Sequence, residues 1–393
     1  MNSLLITNIG ELRTVGELGT LYDAAIVAEG EKIAWVGPAI NAPAADNAVD
    51  VGDRAALPGW VDPHTHMLFD GNRAAEFEAR MAGESYAAGG INVTVTATRA
   101  AGASRLTELL KQRIAAAHAG GTTTIETKTG YGLDLESEVT AARIAHELVD
   151  DVSFLGAHVV PAGEDADAYL ELVCGDMLQQ IRPYVQWIDV FCETGAFDEA
   201  QSRRVLQAGQ AAGLGLRVHG NQLGPGPGVQ LACEMGAASV DHVNFVDASD
   251  IDALAQTGTV ATVLPACDLS TRMPLAPARK LLDAGATVAI ASNLNPGTSY
   301  TSSMNFCVGT AVLQMGLSLN EAIYAATVGG ATALRRNNVG AGLDSAGRLA
   351  VGEISVGARC DLHVLDTAQA IDLAYRPGMP LTWAVFHKGQ QIV

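Results

Sequence analysis

From residue 59 onward the chain alternates short β-rich runs with longer helical patterns, and no other feature restricts its fold as much. The runs fall at 59–62, 122–129, 152–160, 185–192, 214–220, 239–243, 259–265 and 287–293. Several are almost unbroken in apolar residues, as strands buried on both faces are. Between them lie helical stretches such as 134–149, where Leu135, Val139, Ala142, Ala145 and Val149 recur at spacings of three and four. Eight strands separated by helices predict an α/β fold of the (β/α)8 barrel kind. An open, doubly wound sheet is the alternative, but no Gly-x-Gly-x-x-Gly opens a helix after the first strand.

A barrel takes about 250 residues, and the chain has 393. The remainder lies at two ends of similar character, with short alternating runs at 4–7, 24–28 and 32–36 and again at 361–365 and 381–387. The ends of a domain tend to lie close together. The expected organisation is therefore a small β-sandwich built from 1–58 and 351–393 beside a barrel over 59–350. Gly-Pro-Gly-Pro-Gly at 224–228 reads as a loop.

Charge narrows the partners. Lys plus Arg total 24 against 43 Asp plus Glu, a formal net charge of −19 with no basic run to break it. Nucleic acid and anionic membrane surfaces are poor partners for such a chain, which leaves a small-molecule substrate. The opening segment lacks a basic stretch and its apolar run is broken by Asn8 and Glu11, so it reads as a strand and not as a signal peptide. No run approaches the roughly 18 apolar residues of a membrane span. Six scattered cysteines without a Cys-x-x-Cys pair fit reduced core thiols in a cytoplasm. A homodimer is the expected assembly, as is common among soluble enzymes.

In a barrel the chemistry sits at the C-terminal ends of the strands. Of nine histidines, five fall there: His64 and His66 after the first run, His158 in the third, His219 at the end of the fifth and His242 in the sixth. His64 and His66 are two apart in an extended segment and so share a face. A lone His-x-His also fits a solvated turn, but the downstream histidines favour a metal site. His64, His66 and His219 offer three neutral imidazoles for one divalent ion and leave coordination positions open. Such an ion brings the pKa of a water from about 15.7 to about 7, which suits hydrolysis. His242 is then a proton acceptor or a polariser of a carbonyl; the other reading is a hydrogen-bonded core histidine. Three imidazoles accept zinc, iron, nickel or manganese according to supply, with zinc or iron the expected ion.

Longer segments carry a resemblance. They include Pro63-His64-Thr65-His66, Glu76-Phe77-Glu78-Ala79-Arg80, Ala88-Gly89-Gly90-Ile91, Thr127-Lys128-Thr129-Gly130-Tyr131-Gly132-Leu133, Phe154-Leu155-Gly156-Ala157-His158, His219-Gly220-Asn221-Gln222, Asp241-His242 and Asn295-Pro296-Gly297-Thr298. Over essentially its whole length the chain resembles the amidohydrolase superfamily, and within it the imidazolonepropionases. That family opens the ring of 4-imidazolone-5-propanoate to N-formimidoyl-L-glutamate in histidine degradation. The resemblance implies metal ligands at His64, His66 and His219 and substrate contacts at Arg73, Tyr131, His158, Gln222, Asn295, Gly297 and Thr298. An Arg fork at 73 suits the propionate carboxylate, although a surface ion pair with Glu76 or Glu78 is the competing reading. Lys128 reads as a buried anchor and not as a carbamylated bridge, because the family implies a single metal.

One departure stands out. Where the family has an Asp at the end of the eighth strand, serving as both metal ligand and proton acceptor, this chain has Asn293. An amide ligates through oxygen but takes no proton at ordinary pH. Gln222, too, is an amide where some members have a carboxylate. The expected catalytic positions are therefore His242, Asn293 and Gln222, with His242 or Asp268 left to accept the proton. The alternatives are another cyclic-amide hydrolase or aminohydrolase on the same barrel, or a weakened, ligand-binding member that has lost its base.

Overall fold

The computed structural model describes residues 3–83, 90–338, 343–344 and 346–393. Among the described residues there are fifteen strands in two sheets. The first seven are β1 (Ser3–Arg13), β2 (Thr20–Glu29), β3 (Lys32–Pro38), β4 (Asn47–Pro58), β5 (Trp60–Asp62), β6 (Thr122–Lys128) and β7 (Asp151–Ala157). Then come β8 (Trp187–Cys192), β9 (Gly215–Gly220), β10 (Ser239–His242), β11 (Val260–Val263), β12 (Val288–Ile290), β13 (Leu362–Leu365), β14 (Thr382–His387) and β15 (Gln390–Gln391).

Strands β5 to β12 form one eight-stranded parallel sheet in sequence order, the arrangement of a (β/α)8 barrel. All eight expected strands are present. Beyond the strand ends, Asn293 N–H donates to the carbonyl of His64 at 3.0 Å, and His66 N–H to that of Leu294 at 2.9 Å. These bonds bring the chain after β12 against the chain after β5, so the sheet is nearly closed. Residues of β6, β7 and β8 are buried throughout, as strands with helices on one face and a filled barrel on the other must be.

The helix expected at 134–149 is Leu135–Leu148, and Asp134 caps it by accepting from Ser137 N–H at 2.8 Å. Its buried stripe is Glu138, Ala141, Ala142, Ile144 and Ala145. A carboxylate inside an apolar stripe needs partners. Glu138 finds them in the backbone N–H groups of Gly130, Gly132 and Leu133, and so it holds the loop that carries Tyr131.

Both chain ends join one seven-stranded sheet in the order β15-β14-β13-β4-β1-β2-β3. The β1–β4 pair is parallel and the other pairs antiparallel. Ile6, Ile9, Leu12, Ile26, Ile33, Leu362 and Phe386 share its core. Strand β4 falls outside the runs read from the sequence, because Gly52 and Asp53 both take positive φ and interrupt its alternation. The chain divides into two compact units, one of Met1–Pro63, Ala115–Thr124 and Ser303–Val393 and the other of His64–Ile114 and Ile125–Ser302. The second unit holds every candidate site residue. Among the described residues no helix is long and apolar enough to cross a membrane.

Candidate active site and metal centre

His64 and His66 leave β5, His219 lies on β9 and His242 ends β10, so the barrel brings four imidazoles to one place. The Nε2 of His66 lies 3.2 Å from Nε2 of His64 and 3.5 Å from Nε2 of His219. Nitrogens bound tetrahedrally to one zinc at about 2.1 Å stand about 3.4 Å apart, so the spacing fits a shared ion. His64, His219 and His242 also each present a ring nitrogen within 4.8 Å of the others. The two sets share His64 and His219.

The rings are oriented from behind. His64 Nδ1 is 2.6 Å from Asp241 Oδ2, and His219 Nδ1 is 3.1 Å from Asp189 Oδ1. A carboxylate at Nδ1 fixes the proton there and turns the Nε2 lone pair forward. Two such lone pairs converging beside His66 suit a shared cation. This buried histidine group points to a divalent metal ion.

Beneath it lies a buried charge network. Lys128 Nζ stands 3.0 Å from Glu126, 2.9 Å from Asp189 and 3.8 Å from Asp241, and Arg217 reaches Asp241 at 3.3 Å. Burial alone would raise the carboxyl pKa values of Asp189 and Asp241. His219 and Lys128 beside Asp189, and Arg217 and His64 beside Asp241, outweigh it and hold both groups ionised. Lys128 is thus the buried anchor expected from the sequence. Burial pushes His64 down to about 3 and His158 to about 4, and with the neighbouring imidazoles it lowers His66 and His242 well below the usual histidine range. These four rings are neutral at pH 7 and able to ligate.

Two residues at the centre pay a conformational cost: His242 (φ 84°) and Asn293 (φ 53°) both occupy the left-handed region, at roughly 1–3 kcal/mol each. Asn293 is buried, and its Oδ1 has no hydrogen-bond partner. An orphaned amide oxygen in a cleft with His66, His219 and His242 is compatible with a cation.

A narrow cleft opens beside the histidines. Arg73, Tyr131, His158, Gln222, Asn295 and Thr298 line it with the histidines. His158 Nδ1 donates to the carbonyl of Gly130 at 3.0 Å, and its ring stacks on His66 at 5.6 Å between centroids. Asn295 Oδ1 accepts from the N–H groups of Gly297 and Thr298, both at 2.8 Å. Gly297 is not among the lining residues; it backs Arg73 instead. Arg73 lines the cleft, and Glu76 pairs with its Nε and NH2, each at 2.7 Å. Asp268 and Cys267 do not line the cleft. Asp268, its carboxyl raised to about 7 by burial, accepts from Ala276 N–H; Cys267 packs with Leu264 and Ala291. Ala88 and Gly89 of the Ala-Gly-Gly-Ile segment lie outside the described residues.

Known proteins bear on this site. No family model matches the chain. An imidazolonepropionase from Arthrobacter sp. (strain FB24) is 63% identical over 398 residues, covering 98% of this chain and 99% of that protein. Those from Micrococcus luteus, at 60% identity over 412 residues, and Saccharopolyspora erythraea, at 61% over 393, cover 100% of this chain and 100% and 99% of their own lengths. The chain belongs to the imidazolonepropionase family.

Solved structures agree on the fold. An adenosine deaminase from Xanthomonas campestris with bound zinc superposes with a TM-score of 0.74 at 20% identity, covering 99% of this chain and 92% of the other. An atrazine chlorohydrolase from Arthrobacter aurescens complexed with zinc gives 0.72 at 18%, covering 99% and 95%.

Sequence reasoning missed four carboxylates in this chain: Asp189 and Glu126 behind the histidines, Glu138 under the Tyr131 loop, and Glu193, whose Oε2 accepts from the N–H groups of Gln222 and Leu223. Asp189 and Glu126 had a signal, since each is a lone acid within a buried strand.

Proposed function

We propose that this chain hydrolyses 4-imidazolone-5-propanoate to N-formimidoyl-L-glutamate, using one zinc ion. The observation that carries the reading is the convergence of three imidazole Nε2 atoms at the mouth of a barrel whose cleft also presents an arginine. Membership of the family supplies the substrate, and zinc in two proteins of the same fold supports the choice of ion over iron. The six cysteines are all unpaired thiols, which supports a cytoplasmic setting.

Ring opening consumes one water. Its oxygen joins the ring carbonyl carbon, the carbon–nitrogen bond breaks, and the departing nitrogen takes a proton. His64, His66 and His219 would hold the zinc, with Asn293 Oδ1 adding a neutral oxygen. The ion supplies Lewis acidity toward the carbonyl and toward water. Arg73 takes the propionate carboxylate through its guanidinium. Tyr131 offers a hydroxyl, and His158, whose Nδ1–H is held by the carbonyl of Gly130, would offer its Nε2 lone pair to a ring N–H. His242, neutral and buried, is the remaining group able to receive the water proton and return it to the ring nitrogen.

The test is purified protein with its metal content measured, assayed on imidazolone propionate beside Arg73→Met. The expected result is about one zinc per chain, turnover to the formimidoyl product, and a KM raised by roughly two orders of magnitude in the variant. Ligand binding without ring opening, at full metal loading, would make the silent binder the correct reading.

A further inference from the structure

Arg73 sits in an unusual frame. A methyl group placed on Gly90 would fall 2.0 Å from Glu76 Oε2, 2.4 Å from Arg73 NH2 and 2.9 Å from Arg73 Cζ. One placed on Gly297 would fall 2.2 Å from Arg73 NH1 and 2.5 Å from Cζ. Carbon atoms do not approach this closely, so the bare backbone of both glycines is what lets the guanidinium lie where it does. Gly297 has no positive φ, so backbone conformation does not call for glycine there. The space occupied by Arg73 does.

Other contacts tie the frame together. Glu76 lies on helix Ala74–Met81 and takes Nε and NH2 of Arg73 at 2.7 Å each. Arg80, one turn further along, donates to the carbonyl of Gly297 at 2.8 Å and lies 3.6 Å from Glu76. The helix and the loop after β12 thus hold the guanidinium between them. We propose that Gly90 and Gly297 are the two walls of a slot that fixes Arg73, and that Gly90 is a specificity-determining position for a carboxylate-bearing substrate. The proposal rests on the reading of Arg73 as the carboxylate partner.

The groups a Cβ would strike are the ends of flexible side chains, not backbone. Gly90→Ala therefore displaces Arg73 and Glu76 while the fold stands. Function should suffer and stability should not.

The experiment compares steady-state kinetics of the zinc-loaded native chain, Gly90→Ala, Gly297→Ala and Arg73→Met on imidazolone propionate and on its neutral carboxamide analogue, with thermal unfolding of each protein. For Gly90→Ala we expect KM for the carboxylate substrate to rise roughly 10- to 100-fold, the range for losing a charge-assisted hydrogen bond, with kcat within about twofold. Its kcat/KM on the carboxamide and its Tm should match the native chain, which a general structural defect would not leave unchanged. Gly297→Ala should show the same split from the opposite wall, and it decides the matter if Gly90→Ala fails to fold. The slot is overturned if neither alanine changes KM while Arg73→Met abolishes the preference for the carboxylate. If Arg73→Met leaves that preference intact, the reading of Arg73 itself has failed.

Discussion

Asn293→Asp separates stability from catalysis at the metal centre. The two side chains are nearly isosteric, so the change is one of charge. The residue is buried, its Oδ1 has no hydrogen-bond partner, and it also hydrogen-bonds the Cys267 thiol. Without an ion, a carboxylate here is an unsatisfied buried charge, which costs about 3 kcal/mol, the upper end for an unpaired polar group. At 2–4 °C per kcal/mol that is a Tm lower by about 6–12 °C. With the ion bound the sign reverses, because the same carboxylate then faces a divalent cation. Calorimetry on chelator-treated and zinc-loaded proteins should therefore show the variant well below the native chain when stripped and at or above it when loaded. If the amide is also what limits proton transfer, kcat should rise by about 10² to 10⁴. A stripped variant as stable as the native chain, or an unchanged gap between stripped and loaded forms, would refute the placement of Oδ1 beside the ion.

Two further predictions follow from groups behind or away from the site. Asp241→Asn lets the amide donate to His64 Nδ1, which moves the ring proton to Nε2; zinc affinity measured by competition with a chromophoric chelator should drop roughly 10- to 100-fold, and unchanged affinity would dismiss the orienting role. His363 is fully buried in the chain-end unit, its pKa pushed down to about 3 by burial, while its Nε2 meets Thr382 Oγ1 at 2.9 Å. A histidine whose folded pKa is depressed contributes stability that is complete above about 6.5 and is lost as pH falls toward about 3, at up to about 1.4 kcal/mol per pH unit. His363→Gln should flatten the stability–pH curve of denaturant unfolding across that window, and an identical slope in both proteins would show that His363 does not titrate as described.

What the sequence shows and what it hides have physical reasons. The eight barrel strands are legible because burial on both faces leaves apolar runs bounded by turns, and the histidines are legible because a barrel puts chemistry at strand ends. Strand β4 is hidden because Gly52 and Asp53 bend it out of period. Asp189 is hidden differently. In Trp187-Ile188-Asp189-Val190-Phe191-Cys192 a single acid in a buried strand must have partners, so its presence announces a polar interior. Which partners it has depends on the cross-strand register, and one sequence does not carry the register. Only the fold shows that Asp189 lies opposite Arg217 on the next strand and Asp241 opposite His219.

The same limit governs Arg73. Its neighbour Glu76 suggested an ion pair and its position after the two histidines suggested a ligand contact, and the sequence offered these as rivals. In three dimensions Arg73 both lines the cleft and pairs with Glu76. The glycines that back its guanidinium lie 17 residues downstream and far beyond that, at 90 and 297. Their role comes from what they lack, and a missing Cβ gains meaning only once the side chain that fills its place is known.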